Sequence, residues 1–260
     1  MFRQDPQFEL LAEGGYTRIA AKIILHGTSS VFAKRGVVKG DRLAIKEHHT
    51  RIAHQIFDLL RGQIGDKYAV SVGGESGAGK SEIAVELARF LNENGIETKV
   101  IQQDDYFVFP PKTNHEMRRR NITQVGEYEV KLDFIEANLR SFKQGDHWIY
   151  KPIVIYEMDR ITTELLEVGS TSVLIIEGTY TTRLNFVDRK IFIDRTYLDT
   201  EKERLERRRD RIEDFVGEVL EIEHRIISRH KGLAHIVVRN DFSGLEVLSK
   251  EGKDDRKAKP

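Results

Sequence analysis

Compact apolar runs recur from about residue 67 onward, each followed by a more polar stretch with helical spacing. The runs are KYAVSVG (67–73), TKVIQQ (98–103), TSVLIIEG (171–178), RKIFID (189–194) and AHIVV (234–238). A strand with one wet face alternates apolar and polar residues, whereas these are nearly continuous, as parallel strands covered on both faces are. Between the first two, Ala84, Leu87, Ala88 and Leu91 recur at helical spacing, and Asn94-Gly95 supplies a stop. Further helices are expected near 131–143, 199–213 and 216–229. The alternation predicts a doubly wound α/β domain with a mainly parallel, five-stranded sheet.

Residues 1–66 follow another pattern. HHTRIAHQIFDLLRGQ (48–63) reads as an amphipathic helix with Ile52, Ile56, Leu59 and Leu60 on one face, and GVVKGDRLAI (36–45) as a hairpin turning at Lys39-Gly40-Asp41. The expected division is an N-terminal extension over 1–66, a core domain over 67–245 and a tail over 246–260. SKEGKDDRKAKP (249–260) is polar, lacks an apolar face and is expected to be disordered. The extension either packs on the core or mediates self-association into a homo-oligomer.

Composition narrows the function classes. Lys+Arg and Asp+Glu both number 42 in 260 residues, so net charge points to neither a nucleic-acid nor a membrane partner. The absence of cysteine excludes disulfides, thiolate metal sites and a cysteine nucleophile. No apolar run approaches the roughly 20 residues that span a bilayer, and MFRQDPQFEL does not read as a secretory signal. A cytoplasmic protein is the expectation.

The first stretch with evident chemistry is GESGAGKS (74–81), which satisfies G-x-x-x-x-G-K-[ST] between a strand and a helix, the context the motif requires. Glycines at 74, 77 and 79 let the backbone aim successive N–H groups at one anion, and the helix N-terminus adds partial positive charge. Lys80 then reaches the β- and γ-phosphates, and the Ser81 hydroxyl ligates Mg²⁺. The predicted nucleotide cradle is Gly74, Glu75, Ser76, Gly77, Ala78, Gly79, Lys80, Ser81 and Glu82, with ATP and Mg²⁺ as cofactors. The fold class becomes a P-loop NTPase three-layer sandwich. A GTPase would need an N-K-x-D element, which is absent; DFSG (241–244) lies past the last core strand. Motor ATPases carry an acidic pair at a strand end, where this chain has LIIEGTY (174–180).

Ligands of such sheets sit at the carboxyl ends of the strands. VIQQDDYFVF (100–109) ends there in Asp104 and Asp105, so a carboxylate beside the γ-phosphate can accept the proton of an attacking hydroxyl and help position Mg²⁺. Glu177 ends another apolar strand opposite the loop, suited to metal coordination directly or through water. TYLDTEKERLERRRDRIEDF (196–215) carries five arginines; on a helix Arg204, Arg208 and Arg211 share one face.

GESGAGKS, QDDYF, LIIEGTY and RLERRRDR (204–211) occur in the order and spacing of the uridine kinase, phosphoribulokinase and nicotinamide riboside kinase family, which the chain resembles over about 68–240. The resemblance implies that Asp104 is the catalytic base, Glu177 the acidic residue near magnesium, and the Arg-rich segment a lid, with Arg208 and Arg211 as candidate catalytic arginines beside Lys80. On the acceptor side it points to Asp104, Tyr106, Glu127, Tyr156 and Arg160. The metal side is Ser81, Asp104 and Glu177. The stretch PPKTNHEMRRRNITQVGEYEV (110–130) reads as a polar binding loop. Its Arg118-Arg119-Arg120 cluster is either solvent-facing or a holder of a phosphate already on the substrate. The expected activity is ATP-dependent phosphorylation of a hydroxyl on a nucleoside or ribosyl compound. The alternatives are a sugar or sugar-phosphate kinase and a nucleotide-responsive regulatory protein.

Overall fold

The structure is a computed structural model and describes residues 43–201 and 214–248. Helix α1 (Glu47–Leu60) precedes strand β1 (Tyr68–Gly74), helix α2 (Lys80–Glu93) and strand β2 (Thr98–Gln102). Helices α3 (Pro111–Arg120) and α4 (Leu132–Lys143) follow, then a hairpin of β3 (Trp148–Ile155) and β4 (Arg160–Glu167). The core resumes with β5 (Val173–Glu177), β6 (Arg189–Ile193), helix α5 (Asp214–Ile227), β7 (Ile236–Val238) and β8 (Leu245–Val247).

The main sheet has the order β2-β5-β1-β6-β7-β8. Its first five strands are the five expected from the apolar runs, and they are parallel; β8 adds an antiparallel edge. Successive residues of β5 face opposite sides: Val173 and Ile175 join α1 and α2, while Leu174 and Ile176 join α4 and the start of the hairpin. Burial on both faces is why these strands carry no polar alternation.

Helix α1 belongs to the same core as the loop helix. Ile52, Ala53, Ile56 and Leu60 are fully buried among Ile83, Leu87 and Leu91 of α2. His49 Nδ1 accepts the Lys46 backbone N–H at 3.1 Å and so satisfies an otherwise orphaned donor before the first turn. Of the predicted hairpin over 36–45, residues 36–42 lie outside the described residues, and 43–46 are irregular. The predicted helix over 199–213 lies mostly outside them, as does the tail from 249. The stretch 110–130 is a correction. It contains the ten-residue helix α3, which the sequence hides because its polar face runs all round and no apolar period marks it. Pro111 at its first turn pre-sets the backbone, and Asp159 at the hairpin tip accepts the N–H groups of Lys112 and Thr113 at 2.7 and 3.0 Å.

Candidate active site

The phosphate-binding loop begins where β1 ends. Ala78 N–H donates to the Glu75 carbonyl at 3.2 Å, closing a turn, and Gly79 then takes φ +95°. A side chain there would be strained by that φ, and its Cβ would stand 3.1 Å from His49 Nε2 of α1. Lys80 Nζ donates to the Glu75 carbonyl at 2.8 Å, and the Ser81 hydroxyl donates to Glu177 Oε1 at 3.0 Å. The motif thus forms a loop-to-helix turn whose lysine and serine lie on the side of the strand carboxyl ends.

Two acids converge on that side. Parallel register sets Glu177 beside both Val72 of β1 and Gln102 of β2. Gly178 lets the following segment come close: an added Cβ would meet Gln103 Cβ at 2.3 Å. In return Gln103 Oε1 accepts the Tyr180 N–H at 2.6 Å, buried, and holds the turn that carries Asp104. Asp104 is exposed at the cavity mouth, yet the protein packed around it desolvates the carboxylate and raises its pKa, with Lys80 opposing. Burial likewise raises Glu177 to about 7, and the neighbouring Asp104 charge adds to the rise. Two crowded carboxylates and a hydroxyl with a single lysine form a site short of positive charge. That donor set fits Mg²⁺, which takes few protein oxygens and keeps water and phosphate for the rest. Among the described residues no cluster of three or more His, Asp and Glu could cage a metal outright.

Adjacent Asp105 does a different job. It accepts from Lys151 Nζ at 2.7 Å and from the Val154 N–H at 2.9 Å, tying the hairpin to the end of β2.

A cavity of about 300 Å³ opens from this corner. Its lining includes Lys80, Ser81, Asp104 and Glu177, together with Phe107, His115, Arg118, Phe215, Val219 and Glu223. Arg118 is 15% exposed and committed twice over, to Glu129 at 2.5 and 2.8 Å and to Glu223 at 2.9 Å. Burial holds Glu223 above the usual carboxylate range despite Arg118. The arginine cluster therefore divides: Arg118 faces inward, Arg119 lies over the Phe215 ring, and Arg120 is exposed near Glu116.

Other predicted residues lie elsewhere. Tyr106 is corrected from substrate contact to core: it is fully buried, and its hydroxyl accepts from Asn138 at 2.8 Å. The Glu75 side chain and the Ala78 methyl group are buried, so their share of the cradle is backbone alone. Glu127 pairs with His230 at 3.0 Å and Arg183 at 3.4 Å rather than lining the cavity. Tyr156 is half-buried and faces the acid cluster: burial raises its pKa strongly, with Asp104, Asp105 and Glu177 adding to the rise. Arg160 is exposed at the start of β4, paired in register with Ile155, and does not line the cavity. Arg208 and Arg211 lie outside the described residues. Sequence reasoning missed Glu223. Its signal was present, because Val216, Val219, Leu220, Glu223 and Ile227 fall on one helical stripe, where a lone acid needs a partner.

No helix among the described residues is long and apolar enough to cross a membrane. A bifunctional alpha-galactosidase/sucrose kinase of Mediterraneibacter gnavus is 28% identical over 210 residues, 75% of this chain but 22% of that protein's length. A uridine kinase of Leuconostoc citreum is 28% identical over 192 residues, covering 69% of this chain and 90% of the relative. Two solved structures share the fold: phosphoribulokinase from Rhodobacter spheroides (TM-score 0.53, 16% identity, 72% of this chain and 82% of that one) and D-glycerate 3-kinase from Cryptococcus neoformans var. grubii (TM-score 0.50, 13% identity, 76% and 97%). The Phosphoribulokinase / Uridine kinase family profile matches residues 69–212, more than half of the chain. With the strand order, the phosphate loop and the paired acids already placed, this is decisive: the chain belongs to the phosphoribulokinase / uridine kinase family and has the fold of a P-loop kinase.

Proposed function

We propose that this protein is a kinase that uses ATP and Mg²⁺ to phosphorylate a hydroxyl of an uncharged small molecule. The observation that carries the choice of acceptor is the pairing of Arg118 with Glu129 and Glu223. A substrate phosphate needs a cation free to receive it. Among the described residues lining the cavity, Arg118 is taken by two carboxylates and Lys80 belongs to the phosphate loop. Glu223 is neutralised by Arg118, and Asp104 and Glu177 belong to the metal side, so no described cation of the cavity is left over for an acceptor phosphate, which suits neutral hydroxyl donors. The leading acceptor class is a nucleoside or ribosyl compound, supported by the relatives named as uridine kinases. A neutral sugar is the second, supported by the relative named as a sucrose kinase.

Magnesium-bound ATP supplies the transferable phosphoryl group and the counter-charge for Asp104 and Glu177. The chain supplies position and electrostatics, the main sources of catalysis in such transfers. Asp104, in the cleft, holds and accepts the proton of the acceptor hydroxyl. Lys80 stabilises charge on the phosphoryl oxygens, and Ser81 with Glu177 orients the metal side. Phe107, Phe215 and Val219 add an apolar patch to a largely polar cavity, against which the non-reacting part of an acceptor can rest.

Coupled ADP release, measured over nucleosides, pentoses, hexoses, disaccharides and the phosphates of each, tests the reading. Turnover is expected with an unphosphorylated acceptor and not with its phosphate ester. Activity confined to phosphorylated acceptors would remove the charge argument, and ATP hydrolysis indifferent to every acceptor would remove the kinase reading itself.

A further inference from the structure

A carboxylate within the phosphate loop is an odd choice, because the loop gathers N–H groups to hold an anion. Glu75 is 4% exposed, and both its oxygens are engaged. Oε2 accepts the Tyr197 backbone N–H at 2.7 Å, and Oε1 lies 2.7 Å from His224 Nδ1 on α5. The connection is reinforced on either side. The Thr200 hydroxyl donates to the Ser76 carbonyl at 3.0 Å, and the Tyr197 hydroxyl donates to Glu221 of α5 at 2.8 Å. The stretch after β6 and the body of α5 are therefore fastened to the loop, and to each other, around one buried carboxylate. The residue beside His224 is Glu223, which turns into the cavity and holds Arg118 at 2.9 Å.

We propose that Glu75 is a positioning residue that couples the phosphate loop to the acceptor pocket. Through His224 it sets the placement of α5, and α5 sets Glu223 and Arg118. The Glu75 side chain does not line the cavity, so its influence passes through α5. An acceptor that settles against Glu223 then tightens the grip on nucleotide, and nucleotide tightens the grip on acceptor by the same factor, since such coupling is reciprocal. The acceptor half of this inference rests on the kinase reading; the link between Glu75 and His224 does not.

The test is a double-mutant cycle on the full chain with E75Q, H224Q and the pair combined. Calorimetry with Mg²⁺ and ATP should show each single variant binding about tenfold more weakly, the fold-change of a lost charged hydrogen bond. The pair should bind no more weakly than either single variant. The acceptor found by the ADP-release screen should show a raised KM in E75Q, a shift that a local defect of the loop would not produce. Independent, multiplying losses in the pair, or an unchanged acceptor KM in E75Q, would overturn the proposal. If E75Q melts far below the parent, H224Q carries the test through the same acceptor KM. If the parent turns over no acceptor, the kinase reading fails alone, and the nucleotide cycle still decides the Glu75–His224 link.

Discussion

Asp104 and Asp105 are neighbours of one residue type with opposite surroundings. Asp105 is spent on Lys151 and the Val154 N–H, while Asp104 opens onto the cavity with Lys80 as the charge that most opposes its raised pKa. D104N should therefore lower kcat by about 10²–10⁴, the usual range for a lost general base, while ATP binding measured by calorimetry persists. Glu177 gives a pH signature. Its pKa rises from 4.5 to about 7 on folding, so the stability it supports is whole below its ordinary range and is lost as pH climbs through about 7. E177Q removes that penalty. Calorimetric scans of the ligand-free protein should show the variant more stable than the parent at pH 8, by on the order of 3 kcal/mol, with the difference gone near pH 4. The same variant should lose turnover. The placement of these acids was partly legible in the sequence, because a carboxylate at a strand end beside a phosphate loop has few uses. Which of the two aspartates faces the cavity is read from the family resemblance alone, since no local pattern reports the pairing of Asp105 with Lys151, a residue 46 positions away.

Among the elements, α1 is the one whose role the chain order conceals. It lies before the first strand, yet Ile52, Ile56 and Leu60 are as deeply buried as any residue of the sheet. Ile56→Ala should cost about 2–5 kcal/mol in urea unfolding, the range for an aliphatic side chain deleted from a tight core. A loss below about 1 kcal/mol would show that α1 is only loosely held. The amphipathic period of 48–63 made the helix readable; its partner, the outward face of α2, was not, because nothing local says which apolar faces meet. Helix α3 is the converse case. Its sequence is polar throughout, and its start is stabilised by Asp159 at the distant hairpin tip, so no local pattern announces it.

At the scale of the whole molecule, the layering was the easiest part to read. Five apolar runs without alternation can be buried only between two helical layers, and the sheet realises that with Val173 and Leu174 facing opposite cores. The edge strand β8 escaped notice because Leu245–Val247 is three residues long and half exposed, too brief for periodicity to register. The turn before it brings Phe242 back beside Gly79, where the ring stacks on His48 at 4.4 Å and its carbonyl accepts from Arg51 at 2.8 Å. The earliest and the latest described elements thus clasp each other against the shoulder of the phosphate loop. If the loop holds nucleotide as proposed, a bound nucleotide is expected to act as a buckle, slowing proteolysis within α1 and the turn at Phe242.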